Sequence, residues 1–278
     1  MEGMEERRFR LAEMEVLVRA DDAALLTDAA RPWSGYVSSG AEPDIVVEVR
    51  ASPSFAAPPL PDDLQAPGFA VEGKGEGRTD FARADCAGEV VHDGGTVVAR
   101  FTGQPRPVVV EAAVRIAFAL ALPRRDGLLL HSSGAAFGER GLLFLGPSGA
   151  GKSTIERLLR AREPAPVSLG DELIIARRHG RGFRAYATPF AGENGPAAFA
   201  QAPLAGLCFL AQAAAHRARP IPRADALRRL LRNVVAFVTT PAQAARTLDC
   251  AADLVGCVTA HILEFSKQSD VADVLPGL

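Results

Sequence analysis

Residues 141–159 read GLLFLGPSGAGKSTIERLL, and this stretch constrains the fold more than any other. An apolar run ends at Leu145, a glycine-rich turn follows, and an amphipathic helix is expected from Ser153 to Arg162. Gly146, Gly151, Lys152 and Ser153 satisfy G-x-x-x-x-G-K-[ST]. A loop that wraps an anion needs glycines, because side chains would block the approach and some positions need positive φ. Its amides then point at phosphate, helped by the partial charge of the helix N-terminus. Gly146, Pro147, Ser148, Gly149, Ala150, Gly151, Lys152, Ser153 and Thr154 are therefore the expected nucleotide-binding residues. Lys152 reaches the outer phosphates and the Ser153 hydroxyl ligates Mg²⁺. Lys152 is one of only three lysines among 31 basic residues, so its place in the loop is hard to ascribe to composition. A strand that feeds such a loop and helix belongs to an α/β layer.

Phosphate chemistry needs an acid near the metal. The apolar strand 206–212 ends in Gln212, which cannot serve, and TLDCAADL reads as helix. Asp171-Glu172, in SLGDELII, fits: it opens the strand that follows the phosphate-loop helix. One carboxylate can ligate the metal while the other accepts a proton from an incoming hydroxyl. The chain has neither an LSGGQ signature nor an NKxD guanine-reading motif, which leaves no signal for transport ATPases or GTPase switches.

The rest of the chain reads as a β-α-β start: a strand around Met14–Val18, a helix capped by Asp21 or Asp22, and a strand over Ile45–Val49. A Pro- and Ala-rich loop spans residues 51–68. A hairpin turns at Asp93-Gly94, and an apolar helix over Pro107–Leu122 is stopped by Pro123. Strands then follow at Leu128–His131, Leu142–Leu145, around LGDELII, over GFRAYATPF and over AGLCFLAQA. The tail from Arg223 is mainly helical and closes on the strand AHILEF. The expected division is a small α+β domain over residues 1–105, for substrate recognition or assembly, and a P-loop domain over residues 106–278.

Three pieces, LLLHSSGAAFGERGLLFLGPSGAGKSTIERLL, SLGDELII and YATPFAGE, together resemble the HPr kinase/phosphorylase-like family of bacterial serine kinases. That family shares its P-loop fold with the ATP-dependent phosphoenolpyruvate carboxykinases. The resemblance covers about the second half of the chain. It implies ATP and Mg²⁺ as cofactors, Asp171 as catalytic base, and Ser153, Glu172 and Asp171 around the metal. It also implies roles for His131, on the strand before the loop strand, and for Lys152. The sequence departs from the family at Thr154 and Glu172, where the family carries Glu and Asp, and lacks its glycine-rich signature loop. The expected activity is transfer of the γ-phosphate to a hydroxyl, on Ser or Thr of a protein or peptide. A nucleotide-binding regulatory module and a kinase of a small hydroxylated metabolite are the alternatives.

Net charge is −2, so nucleic acid and anionic membrane are not expected partners. The N-terminus lacks the apolar segment of a signal peptide, and a cytoplasmic protein is the expectation; a homo-oligomer follows from the resemblance. Cys86, Cys208, Cys250 and Cys257 have no metal-ligand spacing and are expected as buried thiols. Thr188, Pro189 and Glu193 are candidates for the mouth of the site. Arg223, Arg228, Arg229 and Arg232 crowd one helix and read as a solvated face. Trp33 and Tyr36 are expected to pack the small domain.

Overall fold

The computed structural model describes residues 3–61, 68–75, 77–266 and Leu275. The protein is mixed α/β with two sheets, one of seven strands and one of eight. Its contacts divide it into two compact units, Met1–Ala121 with Phe237–Ala244, and Leu122–Ala236 with Ala245–Leu278.

The first unit opens with a hairpin, β1 (Glu5–Leu11) and β2 (Met14–Ala20), where the sequence suggested one strand. Its two-residue turn places Ala12 at φ 50° and Glu13 at φ 62°. That turn geometry is usually signalled by Asn-Gly or Asp-Gly, and neither is present. Helix α1 (Ala23–Ala30) follows, with Asp22 Oδ1 accepting from Leu25 N at 2.9 Å. Asp21, the other expected cap, accepts instead from Ala51 N at 2.8 Å. Then come β3 (Ile45–Ala51), β4 (Ala70–Gly73), β5 (Arg78–Arg83), β6 (Cys86–Asp93), β7 (Thr96–Gly103) and helix α2 (Pro107–Ala121). Of the loop expected at 51–68, residues 62–67 lie outside the described residues. The strands pair in the order β1-β2-β3-β7-β6-β5-β4, with β2, β3 and β7 parallel.

Helix α2 is apolar almost all round and packs on β3, β7 and α1. The first unit therefore runs on to Ala121, past the division expected after residue 105. Trp33, Tyr36, Phe9 and Phe118 are all buried in this unit. The sheet's other face carries one charged residue per strand in a single rung, Glu6, Arg19, Glu48, Arg100, Glu89, Asp80 and Glu72, each in register with the next.

The second unit is built on β8 (Gly127–Phe137), β9 (Arg140–Leu145), α3 (Lys152–Arg160), β10 (Val167–Gly170), β11 (Leu173–His179) and β12 (Gly182–Ala187). It continues through β13 (Gln201–Gln212), β14 (Arg217–Pro220), α4 (Arg223–Leu231), α5 (Pro241–Cys257), of which residues 241–244 group with the first unit, and β15 (Thr259–Phe265). Strands β9, β13 and β15 are parallel neighbours. Strand β9 is buried on both faces, as such strands are. Leu143 and Leu145 join the core that includes Ala226 and Leu230 of α4 and Ala251 and Leu254 of α5. Leu142 and Phe144 join the core under Ile155 and Leu159 of α3.

Two long strands change partners along their length. The first half of β8, residues 127–131, pairs with β11, and the second half, 132–137, pairs with β9. Strand β13 pairs with β12 at residues 201–203 and with β9 from Leu204 onward. The pairing thus runs β8-β11-β12-β13-β9 and back to β8. Cys86, Cys208 and Cys250 are buried, whereas Cys257, the last residue of α5, is exposed. No helix among the described residues is long and apolar enough to cross a membrane.

Phe118 is fully buried on α2, with its ring centroid 6.5 Å from that of Phe9. Phe118→Ala removes a large core side chain and should cost about 3–5 kcal/mol, measured as a lower denaturant midpoint for unfolding.

Candidate functional site

Strand β8 must find partners for the backbone on both of its edges. Along one edge it meets β11 and then β10, antiparallel to both. The register shifts between Ser168 and Gly170, and Gly170 sits at φ +105°. So β10 and β11 act as one strand along β8, with a bulge at Leu169 just before Asp171 and Glu172, which themselves keep the register set by Gly170 with Gly134 and Leu173 with His131. Bulges of this kind re-aim side chains beside functional sites. Along the other edge, the second half of β8 meets β9. The first half meets the segment 233–235, through His131 N to Asn233 O at 2.8 Å and Val235 N to Leu129 O at 2.8 Å. Both edges change partner around His131 and Ser132, so Asp171 and Glu172 lie on one side of that point and the end of β9 on the other.

The glycine-rich loop leaves β9 there. Gly146 N donates to Asn233 Oδ1 at 3.0 Å, and Asn233 Nδ2 donates to Arg229 O at 2.8 Å. A Cβ on Gly146 would lie 2.7 Å from the Ala150 Cβ, which only glycine avoids. Gly149 and Gly151 take φ +77° and +107°. Gln212 Nε2 donates to Gly149 O at 2.9 Å, so the residue that could not serve as an acid holds the loop. Gly151 is the N-cap of α3 and has no side chain to cap it. The first-turn amides of Lys152, Ser153 and Thr154 therefore lack acceptors within the helix. That is the cradle an anion fills. Lys152 is 7% exposed, and its Nζ donates to Gly146 O at 2.9 Å and Pro147 O at 3.3 Å.

Asp171 is 4% exposed. Its Oδ2 accepts from Asn194 N at 3.1 Å, and Gly192 lies against its other oxygen: a Cβ there would sit 2.2 Å from Asp171 Oδ1. Residues 192–195 form a tight strap, with Gly195 N donating to Gly192 O at 3.3 Å. The Asn194 side chain reaches the other way, donating from Nδ2 to Ser153 O at 3.2 Å and to Glu156 Oε2 at 2.7 Å. Glu156, also buried, accepts from Ser168 Oγ at 2.6 Å through Oε1. Glu172 is more exposed than Asp171, and its Oε2 lies 3.9 Å from His131 Nε2.

The electrostatics tie these groups together. Burial pushes the Lys152 ammonium below its ordinary range, and Glu172 and Glu193 pull it back. Burial pushes the Asp171 carboxyl above the usual carboxylate range; the Asn194 N–H opposes this, and Glu172 and Glu193 add to it. Lys152, Asp171, Glu172 and Glu193 thus share one field, with His131 beside Glu172. A buried lysine and a buried acid shifted in opposite directions are a pattern found at functional sites.

Other candidates fall outside the site. Thr188 is buried and donates to Leu173 O at 2.6 Å, which pins the end of β12 to the start of β11. Arg223, Arg228, Arg229 and Arg232 are exposed. Arg223 bonds Gly256 O at 3.0 Å and Arg228 pairs with Asp225. Sequence reasoning did not single out Glu156, Asn194 or Asn233. Asn194 stands in Glu193-Asn194-Gly195, which signals a turn but not what the turn touches. Asn233 carries no local signal, because its partners are far from it in the chain.

Among the described residues, no group of three or more His, Cys, Asp or Glu is placed to hold a metal ion. Mg²⁺ at a phosphate site takes one or two protein ligands and fills its shell with water and phosphate oxygens. A hydroxyl at the start of α3 with two carboxylates between β10 and β11 suits that need.

No family model matches the chain, and no curated protein matches it. Among solved structures it is similar to the Hpr(Ser) kinase/phosphatase from Coxiella burnetii, at 10% identity and a TM-score of 0.27, over 50% of this chain and 85% of that one. A likeness at that level is too remote to assign an activity or a residue.

Two outcomes follow from the geometry. Asn233→Ala leaves the half-buried Gly146 amide without its acceptor and should cost about 1–3 kcal/mol, read as a lower denaturant midpoint. The second concerns pH. Because the folded pKa of Asp171 is raised above its unfolded value of 3.8, the native state holds more protons in that window, and stability falls as pH rises through it. Asp171→Asn removes this loss. Its melting temperature should exceed that of the unmodified protein at neutral pH, and the difference should close as pH falls below 3.8.

Proposed function

We propose that the chain is an ATP-dependent phosphotransferase that moves the γ-phosphate to a hydroxyl of a protein or peptide. The observation that carries this reading is the pairing of an uncapped α3 N-terminus and Lys152 with a buried carboxylate, Asp171, between β10 and β11. A loop that only held nucleotide would not need that carboxylate. The resemblance of the sequence to HPr kinase-like proteins supports the same reading.

The loop amides and the Lys152 ammonium offset the charge on the transferred phosphoryl group. Ser153, with Glu172 and Asp171, would hold Mg²⁺. When bound, that ion neutralises charge on the phosphate oxygens and fixes their orientation. Asp171 accepts the proton of the acceptor hydroxyl as its oxygen forms a bond to phosphorus. The bridging oxygen bond breaks, and its electron pair leaves with the diphosphate. A raised pKa suits Asp171 to this, since a base works best when its pKa approaches the working pH. His131 stands beside Glu172 and steadies its carboxylate. In this reading the first unit serves acceptor recognition or assembly.

One observation favours a second reading, nucleotide binding without transfer: the Asp171 carboxylate lies under Gly192. The two readings separate experimentally. Lys152→Ala should weaken MgATP binding on the order of 10²-fold. Asp171→Ala should keep that binding and lower transfer from γ-labelled ATP on the order of 10²–10⁴-fold. Candidate acceptors are proteins and peptides encoded beside this chain. Binding with no transfer to any of them would sink the kinase reading and leave the second.

A further inference from the structure

The strap 192–195 touches the proposed base and the helix of the phosphate loop through a single residue. The Asn194 backbone N–H holds Asp171 Oδ2, its side-chain amide holds Ser153 O and Glu156 Oε2, and its carbonyl accepts from Arg160 Nη1 at 3.4 Å. Ser153 and Glu156 both belong to α3, whose first turn forms the end of the phosphate cradle. Glu156 is in turn held by Ser168 of β10, the strand that leads into Asp171. A closed circuit results: α3 to Asn194, Asn194 to Asp171, and Asp171 through β10 and Ser168 back to Glu156. All of its links are hydrogen bonds or covalent chain, and its side chains are buried or half-buried. In such surroundings a lost partner is costly.

Resting on the phosphotransferase reading, we infer that Asn194 is a positioning residue that makes occupancy of the phosphate loop and placement of the Asp171 carboxylate a single event. Phosphate at the start of α3 orders that helix turn, and Asn194 passes the constraint to the strap and so to Asp171. Gly192 is part of the same device, because any larger residue would displace the carboxylate it covers. The strap thus sets when Asp171 faces an acceptor hydroxyl, and Asn194 links that setting to the nucleotide. Asn194 touches no reacting atom in this scheme.

The bond between Asn194 and Glu156 can be reversed, which gives a test that a merely structural role would not satisfy. Asn194→Asp faces Glu156 with a second carboxylate. Adding Glu156→Gln restores a donor toward it, while the glutamine carbonyl still accepts from Ser168. The full chain, Asn194→Ala, Asn194→Asp and the Asn194→Asp/Glu156→Gln pair are compared by MgADP titration and by hydrogen exchange over residues 190–196. In the unmodified protein, MgADP should slow exchange of the strap amides about tenfold or more. In Asn194→Ala, MgADP affinity should change less than about tenfold, yet the slowing should vanish. Asn194→Asp should do the same or worse, and the reversed pair, which restores the link to residue 156 but not the one to Ser153 O, should recover part of the slowing. Should the alanine variant not fold, the aspartate variant and the reversed pair give the same comparison. Equal slowing in the unmodified protein and Asn194→Ala, or no recovery in the reversed pair, overturns the inference while MgADP binding still supports a nucleotide site. Absence of MgADP binding in the unmodified protein overturns both this inference and the reading on which it rests.

Discussion

One strand cannot satisfy its own backbone, and the candidate site follows from that. Strand β8 has 11 residues, longer than any single neighbour covers. It therefore pairs with four segments, two on each edge, and both edges change partner around His131 and Ser132. On one edge β11 gives way to β10 across Asp171 and Glu172, and a bulge follows at once at Leu169. On the other it leaves a gap that the glycine-rich loop and Asn233 fill. The acids and the glycine-rich loop converge because both edges of the same strand change partner at the same level.

The cost of this arrangement is visible in the charges. Lys152 and Asp171 are both buried, each pushed by burial toward its neutral form, with Glu172 and Glu193 acting on both. A fold selected for stability alone would expose these groups or exchange them for apolar ones. What surrounds them is hydrogen bonding rather than direct charge pairing: the lysine on two carbonyls, the aspartate on a backbone amide. Such contacts hold a charged group in place without quenching it, as expected where the charge has a task.

Much of the fold is legible in residue patterns. The Gly94 hairpin, the apolar helix before Pro123, the β9–loop–α3 unit and the late helices all stand where alternation, turn residues and helical periodicity put them. The misses share a cause. The β1–β2 turn uses Ala12 and Glu13 at positive φ, against their own preference, because the pairing of Leu11 with Met14 and the burial of Phe9, Leu11 and β2 outweigh a local cost. Helix α2 is apolar almost all round, so periodicity could not tell which sheet it would join. Strand β14, RARP, has no strand pattern and forms because the edge of β15 offers a partner.

By itself the sequence determined that a glycine-rich turn joins a buried strand to a helix, and that two adjacent acids follow the helix. Glycines at 146, 149 and 151 and the lysine at 152 are local requirements, legible because backbone conformation and reach depend on near neighbours. Only the tertiary structure decided that Asp171 would be covered and Glu172 left more open. It alone put His131 next to Glu172, and made Asn194, Asn233 and Glu156 the residues that hold loop and acid together. Those roles rest on hydrogen bonds across 38 residues between Glu156 and Asn194 and 87 between Gly146 and Asn233. Contacts at such separations come from how the sheet closes, and an asparagine that makes one carries the same local signal as an asparagine in a solvated turn.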